Sequence, residues 1–175
     1  MVKHKTQRTK NMERLMDALD LCRKLHEGQT DKCGQPYWIH PFTVAMRGFS
    51  GYSSEDAISY AIVGLLHDVP EDTGTSVEML TKLIHLTSEE VEALKLLTHR
   101  DGTTYNEYIN SILESGNEIA ISVKMDDLLH NMCLGRLTEA GIEITSFDER
   151  RTENYRKAFR KLREKLIEIE EVKYA

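Results

Sequence analysis

Ala57, Ile58, Ala61, Ile62, Leu65 and Leu66 recur at the spacing of a deeply buried helix, and the stripe they form runs directly into His67-Asp68. No other segment constrains the fold as much. A helix with so continuous an apolar stripe must be covered by other elements, and it carries the polar pair at its end toward the interior. Pro70 then stops or kinks it. His67, Asp68, Glu71 and Asp72 are costly to bury unless paired or metal-bound. A solvated helix end followed by an acidic loop gives the same string, so this segment alone leaves both readings open.

The covering elements are legible on either side. Met12, Leu15, Met16, Leu19, Cys22 and Leu25 predict an amphipathic helix that ends near Gly28. Residues 29–35 form a polar loop, and Pro41 suits the first turn of a helix reaching about Gly48, with His40 at its boundary. Ser53 and Ser54 are expected as caps. Thr75 with Glu78, and Thr87 with Glu90, predict capping boxes that open two short helices. Another helix spans residues 104–114 and exits at Gly116, and a further one spans 118–134. Residues 135–147 lack periodicity and are expected to form a flexible loop. Residues 148–171 carry Tyr155, Ala158, Phe159, Leu162, Leu166 and Ile169 on one face of a long helix. With no repeat and no sustained strand pattern, the expected fold is all-α, a single helical domain over residues 1–175.

A chain of 175 residues can bury a core without disulfides or a structural metal, so any metal is free to be catalytic. No apolar run approaches the roughly 18 residues of a membrane span, and residues 1–10 do not resemble a secretory signal. Cys22, Cys33 and Cys133 include no C-x-x-C pair, which disfavours a disulfide framework and thiolate zinc and fits a reducing cytoplasm. A net charge of −6 makes nucleic acid a poor partner.

Two more segments can join His67-Asp68. Lys124, Asp127 and Asn131 stand at i, i+3 and i+7 and share one helix face, although in isolation such a row is the edge of a solvated surface. Asp126 is expected on that surface. Residues 36–41, Pro-Tyr-Trp-Ile-His-Pro, place an imidazole at a helix start, where it could equally be a core histidine. Two imidazoles and two carboxylates would suit manganese, iron or another octahedral divalent ion better than a thiolate-type zinc site. His26, His85, His99 and His130 are expected to pack, to hydrogen-bond to neighbours of the site, or to face solvent.

In order and spacing, Gly28-Gln29, Lys32, Pro36-Tyr37, His40-Pro41, His67-Asp68-Val69-Pro70-Glu71-Asp72-Thr73, Lys124-Met125-Asp126-Asp127 and Asn131 resemble the HD-type hydrolase domain of the RelA/SpoT alarmone enzymes and their small stand-alone relatives. The resemblance covers residues 15–166. It implies that His40, His67, Asp68 and Asp127 ligate a divalent metal, usually Mn2+, and that Glu71 and Asp72 serve catalysis. It also implies that Lys32 and Asn131 contact substrate and that the reaction removes pyrophosphate from the 3′ position of guanosine tetra- or pentaphosphate. Lys124, and less directly Arg100, are further candidate cations for the phosphates of a small nucleotide.

The chain departs from the family at Asp31-Lys32, where a basic pair is usual and its arginine would lie against guanine. A free carboxylate at Asp31 would repel a polyphosphate, so the tetraphosphate is expected to be a poor substrate. Pro70 and the stretch Asn131-Met132-Cys133-Leu134 are also unusual. The rival readings are a nucleotidase or phosphodiesterase of the same class, and a module that binds metal or nucleotide without turnover.

Overall fold

The computed structural model describes residues 6–49 and 54–175, without side chains for Ser54, Glu55 and Tyr174. Among the described residues the regular structure is helical, apart from an isolated antiparallel bridge between Thr30 and Pro36. No described helix is long and apolar enough to cross a membrane.

The central element is α3, Ser54–Leu66, in which Tyr60, Ala61, Ile62, Val63, Leu65 and Leu66 are buried. It is packed by α1 (Gln7–Leu25), α2 (Ile39–Gly48), α6 (Ser88–Leu97) and α8 (Glu118–Asn131). Two glycines bring α2 and α3 close. A Cβ on Gly64 would lie 2.9 Å from Ala45 Cα, and one on Gly48 would overlap the Tyr60 ring. Small residues at these points therefore fix the distance between the start of α2, where His40 sits, and the end of α3, where His67 follows.

Pro70 acts as expected. The helix ends at Leu66, and a short α4, Val69–Asp72, begins with Pro70 in its first turn. α5 (Val77–Ile84) and α6 follow, and Thr87 with Glu90 forms the predicted capping box. The box predicted from Thr75 and Glu78 does not form: Ser76 is the N-cap of α5 and accepts the Met79 amide, so Glu78 does not stand at the third helical position, and Thr75 is buried. Glu90 is fully buried, held by Arg14 of α1 and by Ser59 Oγ at 2.9 Å, which ties α1, α3 and α6 together. α7, Tyr105–Ser115, starts from a Thr104–Glu107 capping box and exits through Gly116, whose φ of 62° suits a residue without Cβ.

Three expectations need correction or fall outside the described residues. Residues 135–147 are not a featureless loop: they include α9, Gly135–Glu139, and the cap Thr145 that opens α10, Ser146–Tyr174. A five-residue helix is too short to show a period. In α1 the buried residues are Ala18 and Cys22, whereas Met12 and Met16 are 45% and 53% exposed, so the inward face is narrower than the apolar spacing suggests. Ser53 lies outside the described residues; Ser54 begins α3, but its capping role concerns a side chain that is not described. The α10 stripe does pack inward as expected, chiefly against α8 and also against α7, with Ala158 and Leu162 buried.

Candidate metal centre

Three helical segments deliver the polar cluster. His40 comes from the first turn of α2, His67 and Asp68 from the break between α3 and α4, and Asp127 from the last half of α8. His40, His67 and Asp127 are buried, and one ligand atom from each lies within 4.8 Å of the others. Asp68 completes the group: Oδ1 is 3.1 Å from His67 Nε2, and Oδ2 is 3.3 Å from His40 Nε2. Asp127 Oδ1 lies 3.2 Å from His40 Nε2 and 3.8 Å from His67 Nε2.

The groups behind the imidazoles fix which nitrogen faces inward. His67 Nδ1 donates to the Gly64 carbonyl at 2.8 Å, which turns Nε2 toward the cluster and leaves it a lone pair whenever the ring is neutral. That nitrogen is buried and has no hydrogen-bond partner, being near two carboxylates but not aligned with either. Burial lowers the pKa of His67, but Asp68 and Asp127 outweigh it and raise it, so a positive charge belongs between this nitrogen and the carboxylates. A proton supplies it without metal, and the donor set fits a divalent ion in its place. His40 is oriented from behind by His130, with their Nδ1 atoms 2.6 Å apart. Burial and the neighbouring charged His40 and Arg136 push His130 down to about 4, so His130 is neutral and accepts the proton of His40.

The carboxylates have their own supports. Burial opposes ionisation of Asp127, but Lys124 and the two imidazoles outweigh it and hold its pKa well below the usual range. Lys124 Nζ is 2.8 Å from Asp127 Oδ2, and Asn131 Nδ2 donates to Oδ1 at 2.5 Å. Burial also opposes Asp68, yet His67 and His40 bring it to about 2, and Tyr37 donates its hydroxyl to Oδ2 at 2.9 Å. His40 is disfavoured as a cation by burial but is raised to about 9 by Asp127 and Asp68.

The remaining predicted residues ring this centre. Glu71 Oε1 accepts the His99 amide at 2.6 Å; desolvation raises its pKa, the amide pulls it back, and Asp68 pushes it up again. Asp72 is raised by desolvation and by Asp68. Asn131 and Lys32 line a cavity of about 240 Å³ beside His40, whereas Lys124, expected on substrate, is engaged with Asp127 and lies over the Tyr108 ring. Arg100 lies away from this cavity.

Sequence reasoning missed several participants. Tyr37 stood inside a motif without a role, and Arg136 and Arg151 line the cavity with no periodic or motif signal to mark them. Asp31 does not present a free carboxylate. Its Oδ1 accepts the Cys33 and Gln35 amides at 2.8 and 2.9 Å, and its Oδ2 faces Arg136 Nη1 at 3.2 Å. Asp126 is not a plain surface residue either, since Tyr60 donates to it at 2.5 Å.

An all-helical bundle that gathers two imidazoles and two carboxylates at helix ends has the architecture of the HD-type hydrolases. Comparison with known proteins agrees. The chain is homologous to guanosine-3′,5′-bis(diphosphate) 3′-pyrophosphohydrolases of the RelA/SpoT group. It is 31% identical over 131 residues to the bifunctional (p)ppGpp synthase/hydrolase SpoT of Escherichia coli, a match to 69% of this chain and 18% of that protein. It is 37% identical over 117 residues to a probable guanosine-3′,5′-bis(diphosphate) 3′-pyrophosphohydrolase of Synechocystis, 62% of this chain and 15% of that one. The GTP pyrophosphokinase of Myxococcus xanthus is 35% identical over 120 residues, 62% and 15% of the two chains. Each of these matches thus spans less than a fifth of the relative's length. A solved metazoan SpoT ortholog, described as hydrolysing ppGpp, shares the fold with a TM-score of 0.67 over 96% of both chains at 21% identity. No family model matches.

Proposed function

We propose that this chain is a divalent-metal-dependent phosphohydrolase that removes pyrophosphate from the 3′ position of guanosine 3′,5′-bis(diphosphate), with residues 1–175 serving as one hydrolase domain. The observation that carries this reading is the position of the cluster beside the cavity. His40 borders both, and Lys32, Arg136 and Arg151 bring cations to the cavity wall despite the acidic total charge. The relatives named above support the choice of nucleotide.

In this reading His40, His67, Asp68 and Asp127 hold the ion, and Mn2+ suits their mixed nitrogen and oxygen set. A divalent ion there supplies a Lewis acid for a phosphoryl oxygen and makes hydroxide available near neutral pH. The protein does the rest. Lys32, whose side chain is 56% exposed, meets phosphate charge. Asn131 holds Asp127 and borders the cavity. Glu71 and Asp72 carry raised pKa values next to the centre, which suits groups that must accept and return a proton. The free cysteines Cys22, Cys33 and Cys133 fit residence in the cytoplasm.

The test is release of pyrophosphate from guanosine 3′,5′-bis(diphosphate) with Mn2+, Mg2+ or Zn2+ added to chelator-stripped protein, beside a panel of nucleoside mono-, di- and cyclic phosphates. The expected result is Mn2+-dependent release from the bis(diphosphate) in preference to the panel. Turnover confined to another nucleotide would transfer the site to a nucleotidase or phosphodiesterase.

A further inference from the structure

α4 carries Glu71 and Asp72 in a helix of four residues, too short to engage its own last carbonyls. The Asp72 carbonyl takes its donor from 43 positions away, where Gln29 Nε2 donates to it at 3.3 Å. Asp72 itself is exposed, so packing does not clamp its side chain, and the direction of its carboxylate follows the backbone that Gln29 holds.

That bond fixes the whole amide. With Nε2 on the carbonyl, the atom left to face His26 is Oε1, an acceptor, 2.7 Å from Nδ1. Nδ1 must then carry a proton and donate it. His26 is buried and its other nitrogen, Nε2, has no hydrogen-bond partner, so the side-chain hydrogen bond that orients the ring is the one to Gln29. Packing does the rest, since the ring lies against Tyr37 with centroids 4.9 Å apart and planes at 45°.

Neither His26 nor Gln29 can drift. His26 closes α1, its amide donating to the Cys22 carbonyl at 3.1 Å. The Gln29 amide donates to the His26 carbonyl at 3.1 Å, and the Gln29 carbonyl accepts the Tyr37 amide at 2.9 Å. Tyr37 in turn donates its hydroxyl to Asp68 Oδ2 at 2.9 Å. Burial and Asp68 raise the pKa of Asp72 and the Tyr37 hydroxyl lowers it, so that hydroxyl reaches Asp72 as well.

We propose that His26 is a positioning residue for Asp72: its Nδ1 proton sets the Gln29 amide, and the amide holds the Asp72 carbonyl so that the carboxylate stays at the edge of the metal centre. Its effect on rate rests on the hydrolase reading above, whereas the relay can be observed without turnover.

Two NMR signals read the relay in chelator-stripped protein. The His26 imidazole, assigned by its loss in His26→Phe, should show a proton on Nδ1, and the Asp72 carbonyl carbon should shift in the same direction in His26→Phe and in Gln29→Leu. A bare Nδ1, or an Asp72 carbonyl unmoved by His26→Phe, overturns the proposal. With Mn2+ and guanosine 3′,5′-bis(diphosphate), each variant should lose kcat about 10- to 100-fold, with KM within about twofold and parental metal content. In the Asp72→Asn background His26→Phe should lower kcat no further, a coupling that a role in stability alone would not produce. A lowered Tm with parental kcat, or equal losses in both backgrounds, would also overturn the proposal. A parent that releases no pyrophosphate yet gives both signals as expected would sink the proposed reaction and leave the relay standing.

Discussion

The Nδ1 atoms of His40 and His130 lie 2.6 Å apart, and since His130 is held neutral, the proton between them belongs to His40. This hydrogen bond turns the other nitrogen of His40 toward Asp68 and Asp127. His130→Ala should leave a buried donor unmatched and the imidazole free to rotate. Mn2+ affinity is expected to fall about 10- to 100-fold, the usual effect of losing a group that orients a ligand. Calorimetric Mn2+ titration checks this, and unchanged affinity would remove His130 from the centre.

Lys124 is the counter-charge of Asp127 in the metal-free protein, with 13% of its side chain exposed. Lys124→Met should therefore destabilise the chelated protein by about 3–5 kcal/mol, because it strands a buried carboxylate. Added Mn2+ supplies a replacement charge, so the deficit should shrink when metal is present. Thermal melts with chelator and with Mn2+ separate the two. An equal deficit in both would mean that Lys124 acts only through packing.

Much of this was legible in the sequence, for a physical reason. His67 is located by the apolar stripe before it, and Asp127 with Asn131 by helical spacing, because periodicity reports which face goes inward. The partnerships were not legible. Asp31 binds Arg136 across 105 positions, and Tyr60 binds Asp126 across 66; no local pattern encodes contacts that exist only once helices have packed. Reading Asp31 by its charge alone left out the arginine and the two amides that engage its carboxylate. α9 was invisible for a different cause, since five residues are fewer than two turns.

Protonation and metal binding should compete at His40. In the metal-free protein its pKa is raised from 6.5 to about 9, so the stability it contributes is fully present below 6.5 and is lost as pH rises through 9. Asp68 is lowered from 3.8 to about 2, so its contribution is present above 3.8 and lost as pH falls through 2. The two windows overlap between 3.8 and 6.5, where the chelated protein draws full support from both groups. Mn2+ must displace the Nε2 proton, so its affinity should rise with pH up to about 9, with proton release on binding. Titrations in buffers of different ionisation enthalpy would detect that release, and affinity flat between pH 6 and 9 would contradict it.

Gly64→Ala sets two effects against each other. Alanine favours a helix over glycine by about 1 kcal/mol, but its Cβ would sit 2.9 Å from Ala45 Cα, against backbone that cannot swing aside. Overpacking of that kind costs about 1–3 kcal/mol, so a net loss of about 1–2 kcal/mol is expected in chemical denaturation. The same shift separates α2 from α3 and so should weaken Mn2+ binding as well. A stabilised variant with parental metal affinity would show that the helices can part freely.

Glu71 and Asp72 can be told apart by what each substitution spares. Glu71 Oε1 is fastened to the His99 amide, so Glu71→Gln can keep that bond and the local fold while removing the basic oxygen. Metal content should stay at the parental level, and kcat for nucleotide hydrolysis should fall about 10²- to 10⁴-fold with little change in KM, the pattern of a lost proton-transfer group. The raised pKa of Glu71 also places the acidic limb of the kcat profile above the ordinary glutamate range, and that limb should vanish in the variant. Asp72→Asn serves as the comparison, since Asp72 has no amide anchor of this kind and its raised pKa makes it the alternative base. Unchanged turnover in Glu71→Gln together with a large loss in Asp72→Asn would transfer the role to Asp72.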